Sequence, residues 1–98
     1  MTITNRNEMI LKVKKSGFLG EPMWTFKHET RMIEAKITDS EWLSKFQRRE
    51  EEVLPGDAIR ATVDIDVKYG FDSEVVALHY RIVNVIDVIK ARRLRQPD

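Results

Sequence analysis

Arg31-Met32-Ile33-Glu34-Ala35-Lys36-Ile37-Thr38-Asp39-Ser40-Glu41-Trp42 contains the change of period that decides the fold. Over its first seven residues Ile33, Ala35 and Ile37 point one way and Met32, Glu34 and Lys36 the other, the period of a strand with one buried face. At Thr38 the pattern turns helical. Thr38 stands as the expected N-cap, Glu41 as its capping-box partner, and Ile37 with Trp42 as a hydrophobic staple. Asp39 adds negative charge where the helix dipole favours it. Trp42, Leu43 and Phe46 make one apolar stripe, and the charged run from Gln47 to Glu52 leads out to solvent. The helix should have about three turns at most, and Leu54-Pro55-Gly56-Asp57 should close it with a tight turn.

The same alternation extends outward from this segment. Upstream, Met9, Leu11 and Val13 alternate with Ile10 opposite, the first expected strand. Ser16-Gly17-Phe18-Leu19-Gly20-Glu21-Pro22 breaks it with two glycines and a proline. Met23 to His28 follows, with Trp24 and Phe26 on one face and Thr25 and Lys27 on the other, and Glu29-Thr30 turns the chain into Arg31. Downstream, Ile59, Ala61, Val63, Ile65 and Val67 face inward against Arg60, Thr62, Asp64, Asp66 and Lys68. Tyr69-Gly70-Phe71-Asp72-Ser73 reads as a hairpin loop, and Glu74 to Ile89 returns with Val76, Leu78, Tyr80 and Ile82 inward. Near Val83 and Asn84 the alternation slips, which predicts a bulge and places Val85 on the face of His79 and Arg81.

Three strands, a helix and two strands form the order of an OB-fold, a five-stranded barrel with the helix stopping one end. An SH3-like barrel, or an open antiparallel sheet with one packed helix, shares much of this pattern. Closure is favoured because it buries the single apolar face of each strand and removes edges. The expected core is Trp24, Phe26, Ile33, Ile37, Trp42, Phe46, Ile59, Val63, Ile65, Leu78, Tyr80 and Ile82.

The chain has 98 residues, with 17 Lys and Arg against 16 Asp and Glu, a net charge of +1. That length supports one domain over residues 1–98, with a folded core at 8–89 and a basic tail at 90–98. Near-neutral charge argues against binding nucleic acid or anionic lipid by bulk electrostatics. There is no cysteine, which removes disulfides, thiolate catalysis and Cys-based metal sites and points to a reducing, cytoplasmic setting. No apolar run approaches the roughly 18 residues of a membrane-spanning helix.

Trp24-x-Phe26, Ile33-x-Ala35-x-Ile37-x-Asp39, Trp42-Leu43, Pro55-Gly56-Asp57 and Tyr80-x-Ile82 together resemble a small β-rich domain found at the C-terminal ends of uncharacterised bacterial proteins. The resemblance covers roughly residues 22–88. Its pieces are core aromatics, a helix start and a turn, so it implies an appended domain and carries no catalytic, cofactor or binding residue.

Chemistry-bearing residues are sparse. His28 and His79 lie on different strands and show no HxH or HxxxH spacing, so no metal or other cofactor is expected. Ser16, Ser40, Ser44 and Ser73 occupy turns and the helix start, without a nucleophile elbow. Asp64 and Asp66 share one face of a strand, but Arg60 and Lys68 beside them read as ordinary charge balance. Gly17 and Gly20 fit no phosphate-loop fingerprint. The chain therefore reads as non-catalytic. Two binding classes remain. The last strand is apolar on both sides, so Val83, Val85, Ile86, Val88 and Ile89 are the candidate interface for a protein partner or a second copy. A single-stranded nucleic acid could instead engage Phe18, Tyr69 and Phe71 by stacking and Lys27, Arg31 and Lys68 by charge.

Overall fold

The computed structural model describes residues 1–17 and 21–91. Its elements are β1 (Thr2–Lys15), β2 (Met23–His28), β3 (Arg31–Ile37), α1 (Ser40–Gln47), β4 (Ala58–Tyr69) and β5 (Val75–Ile89). The strands close into a barrel in the order β1-β2-β3-β5-β4. All neighbours are antiparallel except β3 and β5, which meet in parallel through Ala35–Tyr80, Lys36–Arg81 and Ile37–Ile82. The parallel contact requires a crossover, and the segment that carries α1 provides it. Closure leaves out the open-sheet alternative.

The inward set follows the alternation. Leu11, Val13, Trp24, Phe26, Ala35, Ile37, Ile59, Ala61, Val63 and Ile82 are buried. The α1 segment lays Trp42 and Phe46 against Trp24, with ring centroids 5.8 and 4.9 Å apart, and both tryptophans are buried. Phe46, Ile65 and Tyr80 pack at the margin of this cluster. Leu78, expected inside, is 40% exposed.

The start of α1 differs from the expected capping box. Asp39 is the N-cap, its Oδ1 accepting the Trp42 N–H at 3.1 Å. Its Oδ2 accepts the Val85 N–H at 2.9 Å, so one carboxylate ties the helix to β5. Thr38 instead donates its hydroxyl to the Ile82 carbonyl at 3.1 Å. The reason is geometric: a carboxylate offers a separate acceptor oxygen to each of two N–H groups that converge from different elements, which a single hydroxyl does not. With the cap one residue later, Glu41 no longer occupies the third helical position that a capping box needs.

The turn after α1 follows its residues closely. The Asp57 N–H donates to the Leu54 carbonyl at 2.9 Å, with Pro55 and Gly56 between and Gly56 at φ +100°, the arrangement that needs glycine third. Asp57 is fully buried. Its carboxylate accepts the Leu54 N–H at 3.0 Å and the Ala91 N–H at 2.9 Å. Lys90 Nζ lies 3.5 Å away, so the chain just beyond β5 is clasped to the barrel. Lys90 and Ala91 are thus tied in rather than part of a free tail; the remainder of the basic tail lies outside the described residues.

β5 carries three one-residue register shifts against β4, leaving Val76, Val83 and Ile86 unopposed. The expected bulge at Val83 is among them. Each bulge resets which residues face inward. Val85 therefore falls opposite Ala61 and Val88 opposite Ile59, and both pack on the core. This corrects the placement of Val85 with His79 and Arg81, and it explains the run of apolar residues without a strand buried on both sides.

Candidate interaction surface

β1, β4 and β5 are far longer than β2 and β3, and the molecule measures 60 × 29 × 22 Å. β1 begins at Thr2, well before the expected Met9. It pairs with β4 from Thr2–Lys68 to Lys12–Ala58, whereas β2 pairs with it only from Lys12 onward. The first part of β1, the end of β4 and the start of β5 thus form a three-stranded arm that continues the barrel wall beyond its rim.

Register assigns each side chain of the arm to one of two faces. One face continues the barrel interior: Val63, buried, is followed by the rows Asn5-Ile65-Tyr80 and Ile3-Val67-Leu78 and then by Tyr69 with Val75. None of these side chains is charged. Ile3 is 42% exposed and Val75 55%, so the apolar surface that fills the barrel runs on into solvent.

The other face is a ladder of ion pairs. Asp64 is buried beneath two guanidinium groups: Arg6 holds it through Nε at 2.7 Å and Nη2 at 2.9 Å, and Arg81 lies 3.7 Å away. Arg81 also grips Asp66 in a two-pronged contact at 2.7 and 2.9 Å, and Thr4 donates its hydroxyl to Asp66 at 2.6 Å. The hydrogen bonds from Arg81 and then Thr4 hold the Asp66 carboxyl down at about 2. The bond from Arg6 lowers Asp64 in the same way. The partners of these carboxylates are Arg6 and Arg81 rather than the neighbouring Arg60 and Lys68. Arg60 pairs instead with Asp87 at 2.8 Å.

The expected ligand-binding residues do not converge. Lys27 sits opposite Lys12 at one end of the β1 pairing and Lys68 opposite Thr2 at the other, a separation along β1 of about 33 Å. Arg31 faces His28 in the β2–β3 hairpin. Tyr69 and Phe71 belong to the tip of the arm, where Phe71 is fully exposed. Phe18 lies outside the described residues. Of the expected interface, Val85 and Val88 face the core, Val83 is half-buried, and Ile86 and Ile89 remain exposed at 39% and 42%.

Clefts indent the surface among the described residues, two of them near the barrel's ends and flanks. The larger, about 690 Å³, lies between Ser16-Gly17 and the segment after α1, with Phe46, Arg49 and Glu52 in its wall. The smaller, about 370 Å³, is bordered by Ile10, Lys12, Lys27 and Glu29. Among the described residues no three His, Asp or Glu side chains gather as a metal site, and no helix is long and apolar enough to cross a membrane.

Alternation cannot reveal where a barrel ends, which is why it places Leu78 inside and gives no sign of Ile3, both of which stand exposed on the arm. The one available signal was length: the strands flanking the last hairpin are about twice as long as β2 and β3. Comparison of the chain with protein-family models, with curated proteins and with solved structures finds no match.

Proposed function

We propose that this domain is a non-catalytic protein-interaction module that self-associates through the uncharged face of its arm. One observation carries the reading: apolar rows continuous with the core extend past the rim and stand exposed, while the reverse face is closed off by ion pairs. A second copy fits this face because a surface without charge meets itself without repulsion, and an isologous two-fold contact needs only self-complementarity. Seven residues at about 3.3 Å and three strands at about 4.8 Å give a footprint of about 330 Å² per copy, below the roughly 800 Å² per partner of stable complexes. The association is therefore weak and concentration-dependent. The cysteine-free composition supports a cytoplasmic setting.

Phe71 and Lys68 at the arm tip favour a second reading, an OB-type barrel that engages single-stranded nucleic acid. The outer face of β2 and β3 weighs against it, since it presents Thr25, Lys27, Met32, Glu34 and Lys36 and no aromatic platform. Light scattering over a concentration series tests the first reading: a mass that rises with concentration supports it, and a constant monomer mass rejects it. Titration of labelled single strands at two salt concentrations tests the second, for which binding must weaken as salt rises.

A further inference from the structure

The arm has an edge as well as a face. Among the described residues no strand borders the outer edge of Thr2–Leu11, because β2 joins β1 only at Lys12. The segment contains no proline, and its register with β4 is unbroken from Thr2 to Lys12. Such an edge presents backbone N–H and C=O groups in a row, a template for a further strand.

We infer that this edge pairs antiparallel with the same edge of a second copy, with the two-fold axis through Asn7. An axis perpendicular to the sheet keeps each face on its own side, so the register is set by which residue lies on the axis. With Arg6 on the axis, Arg6 would face Arg6 of the second copy; with Glu8 there, Glu8 would face Glu8. Like charges directly opposite destabilise a sheet. Asn5 on the axis would leave Arg6 and Glu8 facing Thr4 and Thr2. Asn7 on the axis sets Arg6 against Glu8 of the second copy and Glu8 against its Arg6, two opposite-charge cross-strand pairs that stabilise the contact. Both side chains are exposed, at 65% and 59%; Arg6 keeps Nε and Nη2 on Asp64, which leaves Nη1 for the second copy, and the contact of Glu8 with Arg60 is long at 3.9 Å. This contact shares its partner with the proposed function but uses a different surface. The resulting six-stranded sheet keeps both apolar faces on one side, open to the face-to-face contact.

The chain lacks cysteine, so single substitutions report the register directly. With Asn7 on the axis, the two Asn7 Cα atoms lie about 4.5–5.5 Å apart, within the span of a disulfide. The two Asn5 Cα atoms are then displaced by four residues, about 13 Å. Under mild oxidation Asn7→Cys should form a reducible covalent dimer at least about ten-fold faster than Asn5→Cys. Equal rates, or no dimer from Asn7→Cys, overturn the inference. On the unsubstituted chain, amide exchange within Thr4–Ile10 should slow as protein concentration rises, and concentration-independent exchange also overturns it. If the edge tests fail while the mass still rises with concentration, the face contact stands without the edge contact; a constant monomer mass removes both.

Discussion

Replacing Asp39 should destabilise the protein more than replacing the other capping side chain, Thr38. Its two carboxylate oxygens accept from Trp42 and from Val85. Asp39→Ala removes the N-cap, worth about 1 kcal/mol, and strands the Val85 N–H, a part-buried donor whose loss of a partner costs about 1–3 kcal/mol. The sum is about 2–4 kcal/mol. For a domain of this size that corresponds to a fall in Tm of roughly 8–30 °C. Asp39→Asn should lie between, because an amide offers one acceptor oxygen and turns its NH2 toward the other donor. Thr38→Ala removes only the hydroxyl bond to Ile82 and should cost about 0.5–1.5 kcal/mol. Urea unfolding followed by the fluorescence of Trp24 and Trp42, both buried, ranks the three variants. The reasoning is refuted if Thr38→Ala costs as much as Asp39→Ala, or if Asp39→Asn matches the parent.

Gly56 sits at φ +100°, yet an added Cβ would find its nearest neighbour, Ala91 Cβ, at 4.0 Å. Gly56→Ala should therefore lose about 1–2 kcal/mol from backbone strain alone, and an unchanged unfolding midpoint would contradict that. Acid should loosen the arm. Asp66 is lowered from 3.8 to about 2 in the folded chain, so its contribution is complete above about pH 4 and is lost as pH falls through about 2. The unfolding midpoint should drop across that window, less steeply in Asp66→Asn; identical slopes would show that Asp66 is not the group responsible.

Much of the barrel is legible from residue pattern because one-sided burial writes itself as alternation. β2 and β3 fall where Trp24-Thr25-Phe26 and Ile33-Glu34-Ala35 place them, and the Pro55-Gly56 turn follows from backbone chemistry alone. What escaped the pattern depends on long-range geometry. Thr38 and Asp39 are both good caps by type; the choice between them is made by the Val85 N–H, 46 residues away. Val85 faces inward because the bulge at Val83 shifts the register of β5 against β4. Leu78 and Tyr80 carry the same alternation as Ile82, yet Ile82 lies inside a closed wall and Leu78 on an open arm. The Asp64 and Asp66 pairings with Arg6 and Arg81 likewise needed the register of three strands.

The central claim, that copies of this chain meet through the apolar face of the arm, is tested most directly by sedimentation of the parent and Leu78→Lys at matched concentrations. Leu78 is 40% exposed and stands in the middle of the uncharged rows, so a lysine there places like charges against each other in the assembly without emptying the core. The account predicts an apparent mass that climbs with concentration for both proteins but less steeply for Leu78→Lys, which keeps only the edge contact, with both equally folded. Equal masses for the two proteins at every concentration would contradict it.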